Sequence, residues 1–269
     1  MNAKMIKSFI TGLFFVLVFS STAQDYSWLG KKLDYSDTLR LCDIYKNMKE
    51  ALVAPEKVEY LHLLIEKSGE NYKLFCNNLP KFINLRKLVV INSPGLNLDI
   101  PVDLWNHSKM EYLMLDGFWD EPLSGLDKLN NLKFLSLDGF SLRKFPNEVL
   151  TLKKLAVLDL SMNLISELPK EISQMNSLRE LELTNNCFTE IPEEISTIVN
   201  LEYFTMNNAD FGGPIPPGVT NVCLNSFSKF PEVFYKTAKL KHAGIFFHEH
   251  VNPEMKKKIK STFKKIKFS

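Results

Sequence analysis

The sequence predicts an α/β solenoid, a chain wound into stacked coils that each give one short strand to a single parallel sheet. Three observations predict it. The first is a pattern that recurs in register: Leu132-Lys-Phe-Leu135-Ser-Leu137, Leu155-Ala-Val-Leu158-Asp-Leu160 and Leu178-Arg-Glu-Leu181-Glu-Leu183, with Leu201 opening a fourth copy 23 residues on. A period of this size marks a stacked repeat architecture. The second is punctuation, because each copy closes on an apolar residue and a proline: Phe145-Pro146, Leu168-Pro169 and Ile191-Pro192. The third lies inside the copy. Leu158 and Leu160 alternate as a strand requires to bury one face, whereas Lys170-Glu171-Ile172 after the proline opens a helical turn. Proline fits position N1 of such a turn through its fixed φ and its missing N–H.

The motif is L-x-x-L-x-L-x-x-N-x-L. In it the chain resembles the leucine-rich repeat proteins, of the exported bacterial kind, over roughly residues 45–269. The resemblance implies a curved right-handed superhelix, with the parallel sheet on the concave side and short helices or loops on the convex side. It also implies a protein-binding role and a turn amide that satisfies backbone groups. Asn163 and Asn186 hold that amide position, while Phe140 and Ala209 stand there in the neighbouring copies and Ile165 fills the next inward slot. One coil cannot bury its own apolar face, so coils need neighbours, and the end coils need caps.

Taken in order, residues 1–23 read as a signal peptide. Lys4 and Lys7 precede an apolar run over 9–19, and Ser21-Thr22-Ala23 offers small residues for cleavage before Gln24. The run is too short to span a bilayer core of ~30 Å, so the expectation is export to the periplasm, the envelope surface or the medium. Residues 24–57 are read as an N-terminal cap, with a helix running from an Asn47 N-cap to Ala54-Pro55. Coils over 58–250 begin at 58, 85, 110, 132, 155, 178, 201, 219 and 240, about nine turns, interrupted by the Gly/Pro-rich stretch 211–218. Residues 251–269 are read as a C-terminal cap helix. Asn252-Pro253-Glu254 starts it, Met255, Ile259 and Phe263 share one face, and seven lysines surround that face.

Without Lys4 and Lys7 the 33 lysines and arginines fall to 31, equal to the 31 aspartates and glutamates. That balance gives no reason to expect a nucleic-acid partner. There is no Gly-rich phosphate loop, no G-x-S-x-G and no His-Glu-x-x-His, so no enzyme, cofactor or metal is expected. His248-Glu249-His250 lacks an evident third ligand and reads as structural. Four cysteines allow three double pairings. The resemblance implies that Cys42 and Cys76 staple the N-terminal cap, while Cys187 and Cys223 fall on coils counted two apart and are not expected to pair.

Function is expected between the leucines. On the concave side the third strand position reads Lys87, Tyr112, Phe134, Val157, Glu180, Tyr203 and Asn221. The fifth reads Val89, Met114, Ser136, Asp159, Glu182, Thr205 and Cys223, and the seventh Ile91, Asp116, Asp138, Ser161, Thr184, Asn207 and Asn225. Tyr112, Phe134 and Tyr203 read as exposed aromatic anchors of the kind enriched in binding hot spots. Glu111, Asp116, Asp138, Asp159, Glu180, Glu182 and Glu202 outnumber Arg86, Lys133 and Arg179. The expected site is therefore a concave face for a protein or peptide, basic or mixed in charge. It comprises Tyr112, Met114, Asp116, Phe134, Asp138, Asp159, Glu180, Glu182, Tyr203 and Asn207, on a monomer. The alternatives are attachment to lipid, lipopolysaccharide or another cell-surface component through the lysine-rich cap, and a structural envelope role.

Overall fold

The computed structural model describes residues 48–65, 69–92, 99–117, 123–207, 225, 232–245 and 253–268. The expected signal peptide, most of the N-terminal cap, the stretch 211–218 and His248 with His250 lie outside them.

Among the described residues nine strands form one sheet in chain order: β1 (Tyr60–Leu64), β2 (Lys87–Ile91), β3 (Tyr112–Asp116), β4 (Phe134–Asp138), β5 (Val157–Asp159), β6 (Glu180–Glu182), β7 (Tyr203–Thr205), β8 (His242–Gly244) and β9 (Lys267–Phe268). All eight neighbouring pairs are parallel. Parallel neighbours cannot be joined by a tight turn, and here the crossover is one coil of the solenoid. Register keeps equal motif positions side by side, so Leu88, Leu113, Leu135, Leu158, Leu181 and Phe204 make one row. That row is the spine of the core, each member at most 2% exposed. A leucine buried to this degree contributes about 1.5–3 kcal/mol.

The outer segments are mostly 3₁₀ turns: Val102–Asn106, Asn147–Thr151, Lys170–Gln174, Glu193–Thr197 and Glu232–Lys236. Such short pieces gain little from α-helical cooperativity, and i→i+3 closure suits them. Pro146, Pro169 and Pro192 sit one place earlier than expected, at the N-cap with extended backbone, and their carbonyls accept from Val149, Ile172 and Ile195. Proline's fixed φ serves an extended residue as well as a first helical one. α-Helix appears at the flanks: α1 (Met48–Ala51), shorter than expected, α2 (Glu70–Asn78) in the first coil, and α3 (Pro253–Thr262). Ile259 of α3 and Phe263 just after it are buried as the four-residue spacing predicts, and Phe263 stands edge-on to Phe234 at 5.8 Å. The chain then continues into β9, so α3 is the outer segment of a coil with a strand beyond it, where a terminal cap was expected.

The turn amides perform the backbone role anticipated for them. Asn163 Nδ2 donates to the carbonyls of Leu137, Leu160 and Ser161, and its Oδ1 accepts from Leu142 N–H of the coil before. Asn186 repeats this with Leu160, Leu183, Thr184 and Ile165 N–H. The next rung comes from an unexpected place. Asn225 donates to Leu183, Met206 and Asn207, and accepts from Phe188 N–H at 3.1 Å. It stands 16 residues beyond position 209, where the 23-residue period puts the amide. Consistently, β7 pairs directly with β8, Tyr203 beside His242, so the turn counted from 219 contributes no strand between them. Leu201 and Leu240, which precede β7 and β8, stand 39 residues apart.

Candidate functional site

The face of the sheet turned away from the leucine core carries the residues singled out above, in three columns whose members touch across neighbouring strands. The third-position column runs Lys87, Tyr112, Phe134, Val157, Glu180, Tyr203 and then His242, where Asn221 was expected. Tyr112 and Phe134 stack with centroids 4.1 Å apart and planes 5° from parallel. Val89 and Val157 flank them, and Ile91 and Met114 pack against the group, which forms an apolar cluster separate from the main core. These two aromatics are 9% and 5% exposed, against the expectation of exposed anchors. Strands ~4.8 Å apart bring side-by-side rings into stacking contact, so each ring covers its neighbour's face. Tyr203 is half-buried, 6.4 Å from the His242 ring.

The acidic residues separate into two groups. Glu111 is held between Arg86 and Lys133 at 3.0 and 2.6 Å, and Glu202 between Arg179 and Lys241 at 2.7 and 2.5 Å. Lys133 and Arg86 draw the Glu111 carboxyl below its ordinary range. Both triads lie just before the strands and are neutralised there. The second group is Asp116, Asp138, Asp159 and Glu182, half-buried on β3 to β6. Asp116 is registered beside Asp138, and Asp159 beside Glu182. Like charges opposite one another on neighbouring strands repel. Burial, reinforced by the Asp159 charge, pushes Asp116 up to about 7 and Glu182 up to about 8. Burial and the charges of Asp116, Asp159 and Glu182 push Asp138 well up, and burial raises Asp159. Glu180, 4% exposed, lies between Val157 and Tyr203 in the apolar column.

Hydroxyls that the sequence reading left out of the site hold this row in place. Ser161 donates to Asp159 through its N–H at 2.9 Å and its Oγ at 2.6 Å, and Ser136 Oγ donates at 3.2 Å. Thr184 Oγ1 donates to Glu182, as does Thr205. The signal was present in the same columns for Asp159 and Glu182, where a Ser or Thr stands both beside the acid and two residues after it. Asn207 is buried at the end of the seventh-position column, while Asn225 has left that column for the turn.

Cys76 carries a free thiol whose ionisation burial opposes, so the staple with Cys42 implied by the resemblance is not made. Cys187, in contrast, is disulfide-bonded. Among the described residues no three His, Cys, Asp or Glu side chains are grouped to hold a metal ion. Among them, too, no helix is long and apolar enough to cross a membrane.

A family model described as a leucine-rich repeat region matches residues 84–212. No curated protein matches the chain. Among solved structures, the chain is similar to a leucine-rich repeat protein of Leptospira interrogans at 19% identity and a TM-score of 0.54. That match covers 83% of this chain and 57% of the other, so the chain spans little more than half of that protein's length. It is also similar to internalin C2 of Listeria monocytogenes at 17% identity and a TM-score of 0.50, covering 73% and 76% of the two chains. At such identities the likeness is one of fold.

Proposed function

The chain is a leucine-rich repeat protein, and we propose that it is a non-catalytic recognition module that binds a protein or peptide, basic or mixed in charge, on its concave face. The observation that carries this reading is the row Asp116, Asp138, Asp159 and Glu182 beside the stack of Tyr112 and Phe134. Neither feature is needed to close a coil, since the leucines, the prolines and the turn asparagines do that. Two registered pairs of carboxylates, Asp116 with Asp138 and Asp159 with Glu182, weaken the sheet they stand on. A cationic partner would relieve that repulsion, speed encounter and set register.

The test is capture from envelope and host-surface extracts by residues 24–269. Wild type is compared with a variant carrying Asp138→Asn, Asp159→Asn and Glu182→Gln, which keeps the shapes and removes the charge. A partner held by the wild type and released by the variant supports the reading. Equal capture by both sinks it. The aromatic stack is a poorer probe, because its members are buried and their loss would also loosen the sheet.

The same reading places the protein outside the cytosol. Supporting it are the apolar run 9–19 with its small-residue cleavage signal and the bonded state of Cys187, since disulfides persist in oxidising compartments. The exported form should begin at Gln24. Terminal sequencing that finds Met1 retained would overturn this part.

A further inference from the structure

Just before the strands, one register column runs along the edge of the sheet. From Glu111 to Lys241 the N–H of each member donates at 2.8 Å to the carbonyl of the member before it. The side chains alternate in charge: Arg86, Glu111 and Lys133 on one side of Ala156, and Arg179, Glu202 and Lys241 on the other. Each glutamate is bridged to the cation on either side, at 3.0 and 2.6 Å for Glu111 and at 2.7 and 2.5 Å for Glu202. Neighbouring strands favour this order, since opposite charges side by side attract and like charges repel. Ala156 breaks it. By the alternation a carboxylate belongs there, and a half-buried alanine stands there instead.

We propose that the edge over Ala156, between Lys133 and Arg179, takes an acidic side chain of the bound protein or peptide, in the place that glutamate holds two coils away on either side. The inference rests on concave-face recognition and supplies the acidic half of a partner of mixed charge. Lys133 and Arg179 are two strand spacings apart, about 10 Å, as are the cations that straddle Glu111 and Glu202. Each already meets one glutamate, yet an ammonium carries three donors and a guanidinium five. Both side chains are more than half exposed, at 57% and 60%. Lys154 adds a third cation two residues before Ala156, its Nζ held at 2.7 Å by the neutral amide of Asn131. Glu180, next to Arg179, is buried in the apolar column, off this edge. A carboxylate suits the place, because the neighbouring coils hold one monovalent acid between an equivalent pair of cations. Asp159 lies three residues beyond Ala156, about 10 Å along the strand. A partner segment with an acid and a base three residues apart matches both charges.

The probe is the N-acetylated peptide amide Glu-Gly-Gly-Lys, titrated at low salt into the isotope-labelled protein while each backbone amide is followed by NMR. The amides of Ala156 and Arg179 should shift saturably. Replacing the peptide's glutamate by glutamine should abolish those shifts and weaken binding about two- to fivefold, the range for exposed ion pairs. Ala156→Glu should fill the place from within: it should silence the shift at Arg179, keep those at Asp159 and Glu182, and melt no lower than wild type. Shifts at Ala156 and Arg179 that survive the glutamine peptide, or a shift at Arg179 that survives Ala156→Glu, overturn the inference. So does inorganic phosphate shifting the same amides at lower concentration than the peptide, since the site would then select a dianion. A silent edge beside a responding concave row overturns this inference alone, whereas silence at both places counts against the recognition reading as well.

Discussion

The two faces of the same nine-stranded sheet obey different rules. On the core face, β2 to β6 present one residue type in the row Leu88, Leu113, Leu135, Leu158 and Leu181, buried against the leucines of neighbouring coils. On the other face the same strands present aromatics, aliphatics, hydroxyls and carboxylates, and some neighbours repel one another. The first face is a solution to packing that any coil can share. The second differs from coil to coil and includes groups that cost stability. A solenoid separates the two tasks by a single peptide unit, so Leu158 and Asp159 can be altered independently although they are covalently adjacent.

The comparison breaks most visibly at Leu158. Leu158→Ala should destabilise by about 2–5 kcal/mol, the range for a leucine truncated in a well-packed core. Asp159→Asn next to it should leave the urea midpoint unchanged or raise it. Equal losses at both positions would mean that the faces are not separable. Next in size is the ladder. Asn186→Ala strands the carbonyls of Leu160, Leu183 and Thr184 and the N–H of Ile165. A buried polar group left unsatisfied costs about 1–3 kcal/mol, so the loss should exceed that of any exposed asparagine, such as Asn147.

A smaller effect sharpens the comparison through pH. The folded state holds Asp116 at about 7 and Glu182 at about 8, with Asp138 and Asp159 also raised. Unfolded carboxyls lose their protons near pH 4, so above that the native chain binds more protons than the unfolded one. Stability contributed by these groups is therefore fully present at low pH and lost as pH rises through about 7 to 8. The melting temperature should fall between pH 5 and pH 8.5, and the triple carboxamide variant should flatten that slope. A wild type whose melt climbs over this interval would contradict the assignment. By the same titration a cationic partner should bind more weakly at pH 5 than at pH 8. Smallest of all is the lysine surface near the end of the chain. Replacing Lys257, Lys258, Lys264 and Lys265, all exposed, by glutamine should change neither the melt nor concave-face capture. Lost capture would favour surface attachment instead.

What the sequence made legible followed from strict local rules. The coils opened at 132, 155 and 178 could be read because leucine spacing, Leu-Pro punctuation and asparagine all agreed. The turn counted from 219 looked equally good by spacing, with Val219, Val222 and Leu224 in place, yet β7 pairs with β8. Apolar spacing states that a stretch could be a strand; it does not state which strand lies beside it. Asn225 was assigned to the concave face because the count placed it there, while its hydrogen bonds put it in the turn. On the concave face, composition and column membership were correctly legible. Crowding was not, because exposure of Tyr112 and Phe134 depends on how closely neighbouring rings approach. The pairing of Glu111 and Glu202 with cations was hidden for a similar reason, since partners such as Lys133 and Lys241 come from the adjacent coil.

The asparagine ladder also has a direction. Each Oδ1 reaches back: Asn163 holds the N–H of Leu142, Asn186 that of Ile165, and Asn225 that of Phe188. In this ladder each amide therefore locks the coil before its own. During synthesis from the N-terminus, the newest coil stays open until the ribosome has delivered the amide of the next. For the regular coils that lag is 21 residues; for Phe188 it is 37. The sixth coil, which carries Phe188, is thus where a nascent chain waits longest for its amide, and where translation speed and folding are most tightly bound to each other.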